Sequence, residues 1–413
     1  MKNFSYKLFP LLISLLFIFP IVRENIGTLL MILLCVNTLN YSVASKNYKN
    51  FNFNYLLFTI PFWIIVFRSI FSESISNSLS HIQQSLFFLI FPICFTLIPN
   101  DFFSVKKINL YLTVLKNVCL IIAFLYVVYY FINVPLWKFD VIFNNVSNFR
   151  KYVYEDFKLF IIHPSYYTSI LIICIAHSLE MVLNQKKYFQ LFYILFFLVI
   201  SFLLLTRLNI VLQIILIIGM LLNSKKLQLK YRVLFLVGII SITTTLTIYT
   251  PGIKARFVEL IESYSVKPEN LAYDSTNVRK AIYDCSLDIS KDNLIFGVGF
   301  NNLQYQLNNC YQSNYNSNFY IETNYLTHNY YFYILISSGL IGLGFFGFYL
   351  LNIINISLKS DNLIFKIFIL HSLIICFVED YLYRQRGILF FNLMLMCFIK
   401  YSEKEIQNSI LKK

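Results

Sequence analysis

The chain of 413 residues is 58% hydrophobic and 13% charged, and its formal net charge is +14 at pH 7. Its mean hydropathy of +0.65 reflects more apolar side chains than a soluble domain of this length needs. The composition therefore excludes an ordinary water-soluble protein and favours one that spans a membrane.

Long apolar runs recur along the chain, each near the ~20 residues that a helix needs to cross a bilayer. The runs are continuous and do not alternate between polar and apolar residues, so they predict helices rather than the strands of a barrel. The sequence thus predicts an all-α integral membrane protein with about twelve transmembrane helices. The runs lie at Tyr6–Val22, Asn25–Ala44, Asn54–Phe67, Gln83–Ile98, Ile108–Ile132, Ser165–Leu183, Tyr188–Leu205, Leu208–Leu222, Tyr231–Tyr249, Tyr330–Ile354, Ile364–Val378 and Gly387–Ile399.

Lysine and arginine are distributed unevenly between the connections. Every second connection is strongly basic, whereas the other set carries basic and acidic residues in equal number. Because basic residues are retained on the cytoplasmic side of a membrane, both termini are predicted to be cytoplasmic. This topology accounts for the positive net charge, and no nucleic-acid partner is needed to explain it.

Three regions follow from this plan. Residues 1–249 are expected to form transmembrane helices 1–9, and the first run is expected to be retained because it is too long for a signal-peptide core. Residues 250–327 form one large extracytoplasmic loop, which is long enough to be ordered and functional. Residues 328–413 supply helices 10–12 and a cytoplasmic tail. Cys285 and Cys310 both lie in the large loop, where a disulfide and two free thiols are both open.

Two polar residues stand out on the predicted outer side of the first region. His163 precedes Pro164 and opens the sixth run. Arg207 interrupts "SFLLLTRLNIVL". A charge near membrane depth is costly and usually faces a protein interior or a watery cavity. The alternative for Arg207 is an arginine that snorkels to the surface from a tight turn.

The large loop contains a helical pattern followed by a glycine turn. In "STNVRKAIYDCSLDIS", a period of 3.6 places Arg279, Tyr283 and Ser286 on one face of a helix, although a solvated loop arginine is equally ordinary. Gly297 and Gly299 in "NLIFGVGFNN" predict a tight turn with close backbone approach. Alone, this GxG is weak evidence for a nucleotide site.

His328 stands at the mouth of the tenth run. We expect Thr327 to cap a helix that begins at His328, where the helix dipole disfavours protonation. A neutral imidazole there can act as a general base. The alternative is an interfacial histidine in a belt of tyrosines. The glycines that follow, including Gly339, predict close helix packing.

Acidic and basic residues follow the eleventh run in "CFVEDYLYRQRG", which brings Glu379, Asp380, Arg384 and Arg386 to the outer surface. Arginines bind the oxygens of a diphosphate well because they stay charged and donate in pairs. A histidine beside them suits activation of a hydroxyl. No His, Asp and Glu cluster has the spacing of a metal site, so we expect no metal and no cofactor.

Four ordered motifs resemble the O-antigen ligase and O-antigen polymerase superfamily of bacterial membrane glycosyltransferases. They are "LLLTRLN", "VRKAIYDCSLDISKDNLIFGVGFNN", "THNYYFYILISSGLIGLGFFGF" and "EDYLYRQRG". The resemblance covers roughly Tyr188 to Phe398, and its strength lies in the order and spacing of Arg207, Arg279 and His328.

The resemblance implies a GT-C-like, metal-independent enzyme of the bacterial inner membrane. Its donor would be a glycan on undecaprenyl diphosphate, bound by Arg207 and Arg279, and His328 would activate the acceptor hydroxyl. The other residues named above, Glu379, Asp380, Arg384, Arg386, His163 and Tyr283, would support the site. A ligase would transfer finished glycan to a lipid A core, whereas a polymerase would extend the glycan by repeat units. The sequence slightly favours the ligase.

A transporter or lipid flippase is the alternative from another class. It predicts ionisable residues at mid-membrane and paired broken helices. Most charges of this chain lie at the predicted outer surface, apart from Lys116 and Lys366, and no inverted repeat is visible.

Overall fold

The computed structural model describes residues 2–71, 75–134, 146–156, 162–224, 228–249, 258–259, 261–262, 275–315 and 323–410, which form helices and no strand. The α-helices are α1 (Lys2–Leu16), α2 (Glu24–Ser45), α3 (Ile60–Ile70), α4 (Ile75–Leu97), α5 (Val105–Asn133), α6 (Val146–Lys151), α7 (Pro164–Gln185), α8 (Gln190–Leu203), α9 (Arg207–Asn223), α10 (Leu229–Tyr249), α11 (Ser275–Asp292), α12 (Leu303–Asn314), α13 (Tyr330–Lys359), α14 (Leu363–Ile375) and α15 (Gln385–Ile410).

Seven helical segments in the described part of the chain are long and apolar enough to cross a membrane. They are Glu24–Ser45, Phe53–Ile70, Ser78–Leu97, Val105–Asn133, Pro164–Gln185, Leu229–Ile248 and Tyr330–Lys359. Three shorter apolar helices are α8, α9 and α14. The prediction of an all-helical, multi-pass membrane protein is confirmed. The count of twelve spans and the single large outer loop stay predictions.

Some predicted boundaries are wrong. The first helix ends at Leu16 rather than at Val22, because the chain turns through 3₁₀-type bonds such as Phe17 N to Ser14 O (3.1 Å). The third span is not one α-helix, since a 3₁₀-helix (Phe53–Thr59) leads directly into α3. Much of the predicted large outer loop, residues 250–257, 260, 263–274 and 316–322, lies outside the described residues.

The chain divides into two compact units. The first comprises Met1–Ile13, Thr28–Ile108 and Ile261–Lys413, and the second comprises Ser14–Gly27 and Asn109–Leu260. In the second unit, α7 packs against α8 and α9. Polar side chains join these helices: the amide of Asn209 donates to Thr168 Oγ1 (2.7 Å), and that of Gln213 donates to Ser201 Oγ (2.9 Å). The amide nitrogens of these two buried side chains thus have hydrogen-bond partners, as burial requires.

In the first unit, α13 is broken in its first half. Gly339 has φ 66° and ψ −167°, so the helical hydrogen bonds stop there. The segment that follows α11 fills the break, because Val298 N donates to Ile336 O (2.7 Å) and Leu340 N donates to Leu294 O (2.8 Å). Backbone groups that the break would leave unpaired are therefore satisfied by another part of the chain.

Two glycines allow this close approach. A Cβ on Gly339 would lie 2.0 Å from Ile295 O, and one on Gly297 would lie 2.4 Å from Ile336 O. Gly297 and Gly299 both have positive φ, so the predicted tight turn with close backbone approach is confirmed. Arg68 of α3 closes the turn, donating to Phe296 O (3.0 Å) and Gly297 O (2.9 Å).

Replacing Gly339 by alanine is expected to lower the free energy of unfolding by about 3 kcal/mol, because the new methyl group collides with backbone at a left-handed position. Gly344→Ala on the same helix is the matched control, since a Cβ there meets nothing within 4 Å. Melting temperatures of the two variants in detergent check this. Equal melting temperatures for both variants would contradict it.

Candidate functional site

A short strap of three residues, Thr327 to Asn329, enters α13 and is held by one buried carboxylate. Asp380, which lies between α14 and α15, accepts hydrogen bonds from Thr327 Oγ1, His328 N (2.8 Å) and Asn329 N (3.2 Å). A carboxylate that accepts from consecutive backbone donors fixes the path of the chain. Asp380 therefore decides where His328 stands.

The predicted helix cap is wrong. The helix begins at Tyr330, and the side chain of Asn329 caps it by accepting from Tyr331 N (3.0 Å) and Phe332 N (3.2 Å). Thr327 does not cap the helix because its hydroxyl donates to Asp380. His328 consequently lies outside the helix, and the expected effect of the helix dipole on its imidazole loses its basis.

His328 and Arg279 share a second carboxylate, that of Glu379. His328 Nδ1 lies 3.7 Å from Glu379 Oε2, and Arg279 Nη2 lies 3.4 Å from Glu379 Oε1. The side chains of His328 and Arg279 are 33% and 39% exposed, whereas that of Glu379 is only 9% exposed. The carboxylate is thus the buried support of two accessible groups, one an imidazole and the other a guanidinium.

The predicted face of α11 is confirmed for two of its three residues. Arg279 reaches Glu379, and one turn later Tyr283 donates its hydroxyl to Phe377 O (3.0 Å). Tyr283 also packs against the ring of Phe332 at 5.7 Å between centroids. Burial raises the pKa of the Tyr283 hydroxyl, so it acts here as a hydrogen-bond donor and not as an acid. The helix is therefore attached to the segment that carries the carboxylates.

The two carboxylates are buried, since Glu379 and Asp380 are each 7% exposed as whole residues. Their predicted place at the outer face of the membrane stays a prediction. Burial raises the pKa of the Asp380 carboxyl, although the charge of His328 and the bonds from the strap oppose this. Arg384 is exposed and Arg386 is half-buried, and the support that was predicted for the site from these two arginines stays a prediction.

The raised pKa of Asp380 gives a stability that depends on pH. The folded protein keeps this proton to higher pH than the unfolded chain, so the stabilisation is complete below the usual pKa of about 4 and is lost as pH rises through the folded-state pKa. Between the two pKa values we expect the free energy of unfolding to fall by up to about 1.4 kcal/mol per pH unit. Melting temperatures of wild type and Asp380→Asn, measured as a function of pH, test this. Parallel curves for the two proteins would contradict the assignment.

Two predicted site residues belong to the second unit and are described there. Arg207 is the first residue of α9, and its Nη2 pairs with Glu259 Oε2 at 3.0 Å. His163 precedes α7 and caps it by accepting from Ser165 N (3.4 Å). Sequence reasoning placed His163 correctly at the start of this helix. The predicted role of Arg207 in binding a diphosphate stays a prediction.

Helices α11 and α12 are joined by a disulfide between Cys285 and Cys310, with 5.8 Å between their Cα atoms. The structure thus decides between the two states that the sequence left open. No group of three or more His, Cys, Asp or Glu side chains arranged to hold a metal occurs among the described residues.

Sequence reasoning missed three contributors. Asn329 was noted only as part of a quoted motif, Arg68 was not considered, and the bonds from Asp380 to the strap were not predicted. Asn329 carried a local signal, because asparagine is a favoured helix cap. The other two carried none, because their partners lie 228 and 52 residues away along the chain.

Residues 168–347 match the family model described as O-Antigen ligase. This range includes Arg207, Arg279 and His328, and it ends within α13. No curated protein matches the chain.

Proposed function

We propose that this chain is a membrane glycosyltransferase that moves a glycan from a lipid diphosphate to a sugar hydroxyl, and the match of residues 168–347 to the O-Antigen ligase family model supports this. The observation that carries the proposal is the pair of accessible groups on Glu379. An imidazole and a guanidinium, one for a hydroxyl and one for a phosphate, are held by the same buried carboxylate.

His328 serves as the general base. Glu379 lies beside Nδ1, which favours the tautomer with a proton on Nδ1 and leaves the lone pair of Nε2 to accept a proton. The acceptor hydroxyl gives that proton to Nε2 while its oxygen attacks the anomeric carbon. Glu379 then stabilises the imidazolium that forms, as an orienting carboxylate does in other acid–base pairs.

Arg279 serves the leaving group. As the new bond forms, the bond from the anomeric carbon to the diphosphate oxygen breaks, and its electron pair leaves with the diphosphate. A guanidinium beside those oxygens neutralises the developing charge. Arg279 uses Nη2 for Glu379, and its remaining donors are oriented by that contact. Attack from the face opposite the leaving group inverts the anomeric carbon.

Among the reactions of this kind, we assign that of a ligase. The donor would be a glycan on undecaprenyl diphosphate, and the acceptor a lipid A core sugar at the outer face of the bacterial inner membrane, with both termini cytoplasmic. A polymerase would use the same chemistry with a second lipid-linked repeat unit as acceptor. The support for these assignments is the sequence resemblance and the distribution of charge.

A null strain of the source bacterium tests the proposal. The expected result is loss of the mature surface polysaccharide, restored by the wild-type gene, with accumulation of lipid-linked glycan. Full-length chains retained on the carrier identify a ligase, and single repeat units transferred to lipid A core identify a polymerase. A null strain with normal surface polysaccharide and no lipid-linked intermediate would contradict the proposal.

A further inference from the structure

A cavity of about 570 Å³ lies in the first unit, away from the site described above. It is lined by residues from three distant parts of the sequence, among them Asn52, Tyr55, Asn100, Lys400 and Glu403. All three parts belong to connections on the predicted inner side of the membrane or to the ends of the adjoining helices. The glycosyl transfer proposed above uses none of them.

The floor of the cavity holds a buried cation. Lys400 is 4% exposed, and Tyr55 beneath it is 1% exposed. Lys400 Nζ donates to Asn100 Oδ1 (2.9 Å) and Thr96 O (3.4 Å), and it lies 5.6 Å from the centre of the Tyr55 ring. These hydrogen-bond partners are neutral, and within the described part of the chain Lys400 forms no ion pair at contact distance, although the charge of Glu403 acts on it. A buried ammonium without a carboxylate in contact is stabilised further when an anionic group binds beside it.

An acidic group stands on the wall of the same cavity. Glu403 accepts a hydrogen bond from the side chain of Asn52 (3.4 Å), and burial raises the pKa of its carboxyl while the charge of Lys400 opposes that rise. One cation and one anion that line the same cavity, and that form no direct ion pair in the described part of the chain, complement a ligand that carries both charges. A simple anion would be repelled by Glu403, and a simple cation by Lys400.

The surroundings favour a lipid as the source of this ligand. Phe53, Leu56 and Leu57 belong to the same short helix as Tyr55, and their side chains are 74%, 43% and 37% exposed. Exposed apolar side chains beside a polar cavity at the end of a spanning segment suit acyl chains beside a headgroup.

We propose that this cavity binds a phosphoethanolamine group, with the phosphate on Lys400 and the ammonium on Glu403. The amide groups of the asparagines on the rim donate further hydrogen bonds to the phosphate oxygens. The membrane lipid phosphatidylethanolamine would present this group at the inner side of the membrane, where the sequence predicts these connections to lie, and a water-soluble glycerophosphoethanolamine carries the same chemistry without acyl chains.

Native mass spectrometry of the delipidated full chain tests the proposal. The protein is titrated separately with phosphatidylethanolamine, phosphatidylglycerol and glycerophosphoethanolamine. The expected result is binding of phosphatidylethanolamine at least ~10-fold tighter than of phosphatidylglycerol, since each lost charged hydrogen bond costs about that factor. Binding of glycerophosphoethanolamine at the same affinity would support the chemistry and identify a soluble source. Equal binding of the two lipids, or preference for phosphatidylglycerol, would overturn it.

Three variants sharpen the test. Lys400→Met and Glu403→Gln should each reduce phosphatidylethanolamine binding by about 10-fold. Lys404→Met is the matched control, because Lys404 pairs with Asp101 at 3.6 Å and does not line the cavity. If Lys400→Met does not fold, the binding of phosphatidylethanolamine by Glu403→Gln tests the proposal on its own. Unchanged binding in Glu403→Gln would overturn the proposal.

Discussion

Replacing His328 by asparagine is expected to reduce the rate of glycan transfer by about 10³-fold, the usual contribution of a general base. Asparagine is the informative replacement because His328 has a φ of 43°, a left-handed value that asparagine tolerates. The strap would therefore keep its bonds to Asp380, and the loss of rate would report the missing imidazole rather than a displaced backbone.

The measurement is transfer by purified protein in liposomes, followed as a function of pH. The activity of wild type should depend on pH, as it does in enzymes that use a general base, and the residual rate of His328→Asn should lack that dependence. A melting temperature close to that of wild type shows that the variant is folded. A rate within about threefold of wild type would mean that His328 is only an anchor at the membrane surface.

Replacing Arg279 by alanine is expected to reduce the transfer rate by about 10²-fold, because the diphosphate loses a charged donor and Glu379 loses its guanidinium partner. Arg279→Lys should retain part of the lost transfer rate, since lysine keeps the charge but not the paired donors. The rate and KM of each variant, measured with lipid-linked glycan, separate binding from chemistry.

Lys280→Ala is the matched control for this experiment. Lys280 follows Arg279 on α11, about 100° around the helix, and lies outside the contacts with Glu379. Its loss removes the same charge from the same helix and should leave the rate unchanged. An equal loss of rate in both variants would mean that general positive charge on the loop, and not Arg279, is what matters.

The helices were predictable because the signal is local. Ten of the twelve apolar runs in the sequence overlap apolar helical segments of the described structure, and hydropathy over about 20 residues is sufficient to find such segments. The face of α11 that carries Arg279 and Tyr283 was predictable for the same reason, since a 3.6-residue period requires no knowledge of the rest of the fold.

The break at Gly339 was not predictable from the same signals. Four glycines in a helical run indicate close packing, and only Gly339 and Gly342 have neighbours close enough for that, whereas Gly344 and Gly347 meet open space. The break depends on backbone groups of residues 294–298, more than 30 residues earlier. Tertiary hydrogen bonds of this kind leave no local pattern in the sequence.

In the candidate site too, some features were predictable from the sequence and others were not. Its reactive residues, His328 and Arg279, were identified from residue type and motif order. The parts played by the carboxylates were not, because Glu379 and Asp380 occupy adjacent positions yet serve different partners. One supports the imidazole and the guanidinium, and the other holds the strap. The sequence shows two adjacent acidic residues, but only the structure shows which partners each carboxylate contacts.

The measurement that tests the central claim most directly uses the purified wild-type chain in sealed liposomes with lipid-linked glycan and a sugar acceptor. The account predicts a glycosylated acceptor, an inverted anomeric linkage, and release of one lipid diphosphate for each glycan transferred. Movement of the lipid-linked glycan across the bilayer without any new glycosidic bond would contradict the account and would identify the chain as a transporter.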